Sequence, residues 1–170
     1  GMVNAAALTT ITGTAADINS VYTAFAAGTI TGLGNEAVIL SNTSINASVL
    51  ITLDAFTTGM VNAAALTTIT GTAADINTAY TSNDAGTITG LGNEAVTVTD
   101  VTVAASALNT LNTKTTGVVT VQATTITGTA ADINTAYTSN AAGTITGLGN
   151  EAVTLTDTSI NASALITLDA

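Results

Sequence analysis

Two patterns of apolar and polar residues alternate along the chain. Short runs such as Val96-Thr97-Val98-Thr99 place a β-branched apolar residue at every second position, which is the period of a strand with one buried face. Alanine-rich segments follow these runs, and in one of them Ile133 and Tyr137 stand four positions apart, on one face of a helix. The pattern predicts a strand followed by a short helix, repeated along the chain.

Helix starts carry their own signal. In Thr14-Ala15-Ala16-Asp17 a hydroxyl is followed three positions later by a carboxylate, and this spacing lets the two side chains satisfy two free backbone donors of a first turn. The same phrase recurs at 72–75 and 129–132. We therefore predict three equivalent capped helices.

The chain is internally repetitive. The phrase ITGTAADIN begins at Ile11, Ile69 and Ile126, and GLGNEAV recurs at the same offsets, so the chain is built from three successive copies of one long repeat. Residues 1–19 reappear unchanged at 59–77, so Met2 is a repeat residue, and we expect a stretch of a longer array without a signal peptide. The predicted repeats are 1–58, 59–116 and 117–170, in one continuous solenoid.

Each repeat divides further into two half-units of unequal length. Apolar landmarks at alternating longer and shorter intervals mark them: Ile18, Leu50, Ile76, Leu108, Ile133 and Leu165. The longer half-units hold extra sequence in regions such as TSNAAGTITGLGNEA. The glycine and asparagine content of these regions predicts a loop that projects from one side.

A solenoid follows from burial, because a strand and a two-turn helix cannot cover their apolar faces alone. We predict a parallel β-solenoid with short helices, in which equivalent side chains stack directly on one another. The predicted stripes are Tyr22, Tyr80 and Tyr137, and Leu50, Leu108 and Leu165. An all-β right-handed β-helix is the alternative, since threonine-rich alternation can continue through the predicted helices.

Composition narrows the possible functions. Eleven carboxylates face one basic residue, Lys114, and give a net charge of −10, which disfavours binding to nucleic acid and to anionic lipid. Apolar residues make up 46% of the chain, but polar residues interrupt every apolar run before the roughly 18 residues that span a bilayer. We therefore expect no membrane insertion. The absence of Cys and His removes thiolate chemistry and the usual zinc ligands.

Two motifs resemble catalytic or cofactor sites. GLGNEA fits the G-x-G-x-x-A dinucleotide fingerprint, and Asp54 follows Gly34 at the distance of a ribose-binding acid, but the phrase leads into a strand pattern rather than a phosphate-binding helix. Acid–base hydrolysis needs two carboxylates in unlike environments, and the recurrent ones are Asp17, Asp75, Asp132, Glu36, Glu94 and Glu151. We predict no enzyme and no cofactor, because the glycines are explained by turns and the aspartates by helix capping.

Two binding hypotheses and one possible modification remain. Calcium could bind in the GLGNEA turns through Asn35, Glu36, Asn93, Glu94, Asn150 and Glu151 together with carbonyl oxygens, although the established calcium-loop motifs are absent. Thr-x-Thr triplets such as Thr10-Ile11-Thr12, Thr29-Ile30-Thr31 and Thr144-Ile145-Thr146 could form a flat ice-binding face, or simply a wet strand surface. Asn42, Asn46 and Asn161 lie in glycosylation sequons, which this composition produces by chance.

The phrases TGTAADIN, AYTSNAAGTITGLGNEAVTLTDTSI and NASALITLDA resemble the repeats of giant cell-surface proteins of marine picocyanobacteria, across essentially the whole chain. The resemblance implies export and a role in surface architecture, adhesion or motility, and it supplies no catalytic residues. We therefore expect an extracellular structural spacer. Its expected partners are the neighbouring repeats of the same chain and a cell-surface or glycan ligand. The alternative is a solenoid that binds ice, calcium or glycan.

Overall fold

The computed structural model describes residues 1–169 and has an α/β architecture with parallel strand pairs. Within this range six helices occur: α1 (Ala15–Ala26), α2 (Ala47–Phe56), α3 (Ala73–Ala85), α4 (Ala105–Lys114), α5 (Ala130–Ala141) and α6 (Ala162–Asp169). The strands are β1 (Val3–Asn4), β2 (Thr10–Gly13), β3 (Ile30–Thr31), β4 (Ala37–Leu40), β5 (Ser44–Asn46), β6 (Val61–Asn62), β7 (Thr68–Gly71), β8 (Ile88–Thr89), β9 (Ala95–Val98), β10 (Thr102–Ala104), β11 (Val119–Val121), β12 (Thr125–Gly128), β13 (Ile145–Thr146) and β14 (Ala152–Leu155).

The alternation of strands and helices agrees with the predicted half-units. Each of the six apolar landmarks lies in a different helix, and five of the six are buried: Ile18, Leu50, Ile76, Leu108 and Ile133. Leu165 of α6 is 49% exposed. Because helices occupy the alanine-rich segments, the all-β alternative is wrong.

Local capping fixes where the longer helices begin. The Thr14 hydroxyl oxygen accepts a hydrogen bond from the Asp17 backbone N–H at 3.2 Å and donates one to the Asp17 carboxylate at 2.7 Å. Thr129 and Asp132 repeat both bonds ahead of α5. The predicted cap is confirmed in its first half, but the carboxylate contacts the hydroxyl instead of a backbone donor.

A second residue, distant in the sequence, also caps each of the longer helices. The Asn42 side-chain oxygen accepts from the Ala15 backbone N–H at 2.7 Å. Asp100 does the same for Ala73, and Asp157 does so for Ala130, each at 2.7 Å. Each longer helix therefore has one more of its four free N-terminal amides satisfied, by a residue that lies beyond the end of that helix in the sequence.

The chain forms two compact units, which we describe separately. The first comprises Gly1–Ile69 and Thr78–Leu91. It contains a parallel sheet in the order β2-β4-β6-β8 and the pair β1-β3. Helix α1 packs against β2, β3 and α2, so the core lies between the strands and the apolar faces of the helices.

The second unit comprises Thr70–Asn77 and Gly92–Ala170. Strands β10, β12 and β14 form a parallel sheet in that order, and β11 pairs with β9 and β13. Helix α5 packs against both α4 and α6. Strand β7 and helix α3 are divided between the two units.

Strand pairing does not bring equivalent residues together. In the first unit one row across the sheet consists of Ile11, Val38, Val61 and Ile88. Each step along this row advances the chain by a little less than half a repeat, so even two steps do not return to an equivalent position. The row needs only β-branched side chains of similar size on its inner face, and several different positions of the repeat supply them.

The predicted direct stacking of equivalent side chains is therefore wrong. Leu108 and Leu165 lie in α4 and α6, and both of these helices pack on α5. The Tyr22 ring stacks on Phe56 at a centroid distance of 5.1 Å rather than on another tyrosine. Neighbouring half-units differ in sequence, so unlike residues meet.

The predicted projecting loop is also wrong. In the TSNAAGTITGLGNEA region α5 ends, β13 pairs with β11, and Ile145 and Leu148 are buried. The Thr144 hydroxyl donates to the Ser139 carbonyl at the end of the helix. These residues are part of the packed fold.

Candidate functional site

The GLGNEA turns hold the recurrent carboxylates that the sequence singles out. Each turn joins a two-residue strand to the strand that follows Glu36, Glu94 or Glu151. The turn needs glycine at its start: Gly32 has φ +82°, and a Cβ there would lie 2.6 Å from the Ala6 backbone nitrogen. Close backbone approach thus fixes the turn in front of the glutamate.

Glu36 folds back into its own turn. Its carboxylate accepts from the Gly34 N–H at 2.7 and 3.0 Å and from the Asn35 N–H at 2.9 Å. The Tyr22 hydroxyl of α1 donates a further bond at 2.7 Å. Although Glu36 is only 1% exposed, its charge is surrounded by donors, as a buried carboxylate requires.

These donors decide the protonation state of the pair. Burial by itself raises the pKa of Glu36, but hydrogen bonds from Tyr22 and from the backbone amides of the turn bring its pKa below the ordinary value. Burial and the bond to Glu36 raise the pKa of Tyr22 well above its ordinary value. At neutral pH an ionised Glu36 and a protonated Tyr22 therefore form one stable polar unit.

The second copy builds the same turn. Glu94 is fully buried, and its carboxylate accepts from the Gly92 N–H at 2.8 and 3.0 Å. Its backbone carbonyl accepts from the Thr115 hydroxyl at 2.7 Å. The sequence analysis placed this carboxylate in a projecting loop, and its burial contradicts that prediction.

The third copy is more open. Glu151 accepts from the Gly149 N–H at 2.8 Å and from the Tyr137 hydroxyl at 3.2 Å, while its Oε1 is buried without a hydrogen-bond partner. A cavity of about 450 Å³ adjoins it, with Thr167 and Leu168 in its wall. Burial and the Glu151 charge raise the pKa of Tyr137.

Sequence analysis missed the residues that cover the first two turns. The Thr57 hydroxyl donates to the Glu36 carbonyl at 2.7 Å, as Thr115 does to that of Glu94. A Cβ on Gly59 would lie 2.3 Å from the Glu36 carbonyl oxygen, so only glycine fits there. The repeated Thr-Thr-Gly phrase at 57–59 and 115–117 was the available signal.

The predicted calcium ligands have these surroundings. Glu36 and Glu94 direct their carboxylates at backbone N–H donors, whereas a hard cation needs converging oxygen acceptors. Asn35, Asn93 and Asn150 are exposed. Across residues 1–169 no three acidic, histidine or cysteine side chains gather closely enough to hold a metal. Calcium binding stays a prediction, with the asparagines and turn carbonyls as the accessible oxygens.

The other motif residues have structural partners. GLGNEA leads into β4, β9 and β14, as the sequence predicts, and no helix N-terminus follows it. Asp17 bonds its own capping threonine, and the sequon residues Asn46 and Asn161 accept from backbone amides at the starts of α2 and α6. The side chains of Asp17, Asn46 and Asn161 therefore form hydrogen bonds within the chain.

Threonines form an outward row in the second unit. Thr97, Thr120 and Thr146 are paired across β9, β11 and β13, and the last two hydroxyls lie 3.3 Å apart. Strands of two to four residues make this row narrow. Ile145, between its two threonines, is fully buried, whereas Ile11 and Ile30 are half-buried.

Family models, curated proteins and solved structures gave no match to the chain. Among the described residues no helix combines the length and the apolar character needed to cross a membrane.

Proposed function

We propose that the chain is a structural spacer, a segment of the stalk of a large extracellular or cell-surface protein with a role in adhesion or motility. The observation that carries this proposal is the use of the recurrent polar groups inside the fold. The GLGNEA glutamates bond their own turns, and Asn42, Asp100 and Asp157 cap helices. In these residues the recurrent polar groups form hydrogen bonds within the fold. A repeated scaffold of this kind suits a spacer, whose length depends on the number of repeats.

The solenoid arrangement is part of the proposal. Parallel pairing between strands that lie a little less than half a repeat apart, with helices alternating between them, supports coils that wind along one axis. Such coils bury their apolar faces on their neighbours, so length can grow without a larger core. Acidic composition, with one lysine against 11 carboxylates, suits a solvated surface location, as does the resemblance to picocyanobacterial surface repeats.

A length series tests the spacer. Additional copies of residues 59–116 are inserted after residue 116, and the radius of gyration is measured by small-angle X-ray scattering. A solenoid roughly doubles its radius of gyration when the chain length doubles, whereas a globule increases it by only about 1.3-fold. Globular scaling would reject the proposal. An antibody against the chain should label intact source cells, and labelling only after lysis would reject the surface location.

The outward threonine row supports a second candidate, a ligand-binding solenoid for ice, calcium or glycan. Thermal hysteresis tests ice binding, and the shift of the melting temperature on calcium addition or EDTA treatment tests the metal. A glycan array tests carbohydrate. An ice or glycan signal that is lost in Thr120→Val, or a shift of the melting temperature with calcium, would favour this candidate over a pure spacer.

A further inference from the structure

One apolar surface of the second unit is uncovered. We define the end face as Val153 and Leu155 of β14 with Leu165 and Leu168 of α6, and Glu151 at its corner. These four apolar residues line a cavity of about 510 Å³. Val153 is 39% and Leu165 49% exposed, whereas Val96 and Leu108, their counterparts one repeat earlier, are fully buried.

The same unit shows what covers the counterparts. Strand β11 lies parallel to β9 and places Val119 opposite Val96 and Val121 opposite Val98. Strand β14, at the equivalent position, is at the edge of its sheet in the described part of the chain. Among residues 1–169, no strand equivalent to β11 covers the end face.

The covering segment has a narrow sequence requirement. In the second unit the Thr115 hydroxyl donates to the Glu94 carbonyl, and the Thr116 N–H donates to the Gly92 carbonyl at 2.9 Å. A Cβ on Gly117 would lie 2.2 Å from the Glu94 carbonyl oxygen. The corresponding contacts in the first unit come from Thr57, Thr58 and Gly59. Both segments read Thr-Thr-Gly-x-Val.

We propose that the end face binds the Thr-Thr-Gly-x-Val strand of a second copy of this repeat by parallel strand addition. The register places Val119 of the added copy opposite Val153 and Val121 opposite Leu155, with Thr115 donating to the Glu151 carbonyl. This inference rests on the proposed spacer function and deepens it by naming the partner of the exposed face.

Glu151 supplies an independent observation. Its Oε1 is buried without a partner, and a cavity of about 450 Å³ adjoins the residue. In the first unit Thr57 and Gly59 lie against the backbone carbonyl of the equivalent Glu36. A buried acceptor beside open space is a costly arrangement. A threonine-bearing strand seated beside it fills that space and gives the Glu151 backbone carbonyl a donor, as Thr57 and Thr115 do for Glu36 and Glu94.

A labelled peptide tests the site directly. The peptide TKTTGVVTV, residues 113–121, carries a fluorophore and is titrated with the full chain while its anisotropy is measured. Saturable binding is expected, together with amide shift changes confined to residues 149–155 and α6 in the ¹⁵N-labelled chain. Gly117→Ala in the peptide should weaken binding about tenfold or more, because its new Cβ meets backbone.

Protein variants supply the matched pair. Val153→Asp should abolish binding, while Val101→Asp, at a valine that is 71% exposed, should leave it unchanged; circular dichroism verifies that both variants fold. No saturation at millimolar peptide, equal affinity of the Gly117→Ala peptide, or shifts mapped to the threonine row would each overturn the inference. A radius of gyration that grows in proportion to chain length in the length series would still support the spacer. Failure of the strand-binding inference is therefore distinguishable from failure of the spacer proposal.

Discussion

The turns around Glu36 and Glu151 have the same sequence, GLGNEAV, but different surroundings. Glu36 accepts from two backbone amides and from Tyr22 at 2.7 Å, and Thr57 and Gly59 close the turn from the next half-unit. At Glu151 the tyrosine bond lengthens to 3.2 Å, and one carboxylate oxygen has no partner. The turn is thus completed by the half-unit that follows it, which supplies Thr57 and Gly59.

The substitution with the largest expected loss of stability introduces a charge. Leu108→Asp places a carboxylate at a fully buried site and should cost about 4 kcal/mol or more in the free energy of unfolding. Leu165→Asp, at the counterpart that is 49% exposed, should cost less than about 1 kcal/mol. Urea denaturation measures both. Equal losses would contradict the difference between covered and open helices.

Glycine substitution tests the close approach. Gly59→Ala forces a Cβ against the Glu36 carbonyl and should cost about 3 kcal/mol. Gly1 begins the same phrase and has no atom within 4 Å of its Cβ position, so Gly1→Ala is the matched control and should leave stability unchanged. A mild effect at Gly59 would show that the segment can move away from the turn.

Removal of one hydroxyl compares the two tyrosines. Tyr22→Phe deletes the 2.7 Å bond to a buried carboxylate and should cost about 2 kcal/mol. Tyr137→Phe deletes a longer, half-exposed bond and should cost under about 1 kcal/mol. The same denaturation experiment measures the two losses. A larger loss at Tyr137 would contradict the stronger tyrosine–glutamate hydrogen bond in the Glu36 turn.

The pH dependence of stability tests the contribution of the Glu36 carboxylate. Since the folded-state pKa of Glu36 is lower than its ordinary value of 4.5, its stabilising contribution is fully present above about pH 5.5 and is lost as pH falls through the folded pKa. Glu36→Gln should therefore flatten the decline in stability below about pH 5. An unchanged acid profile in this variant would assign the decline to other groups.

The smallest expected effect is at the surface. Thr144→Ser keeps the hydroxyl that donates to Ser139 and removes an exposed methyl, so the change should stay within about 0.5 kcal/mol. Thermal unfolding measures it. A loss as large as that of Leu108→Asp would contradict the assignment of the core.

Local patterns predicted the elements, but they did not predict how the strands meet. Thr14 and Asp17 mark a helix start within four positions, and Ile18 to Leu165 mark one helix each, because capping and periodicity are local properties. The pairing of Ile11 with Val38 depends on long-range register, and any β-branched residue satisfies it. The inward fold of Glu36 was missed because its donors are mainly backbone amides, which every residue but proline supplies.

The long-range caps tie each longer helix to a residue that follows it in the chain. The Ala15 amide is satisfied by Asn42, and the Ala73 and Ala130 amides wait for Asp100 and Asp157. A chain that is made from its N-terminus leaves each of these helices one bond short until the two strands after it and the capping residue beyond them have followed. During synthesis each longer helix therefore gains its last cap only when the next half-unit has been made.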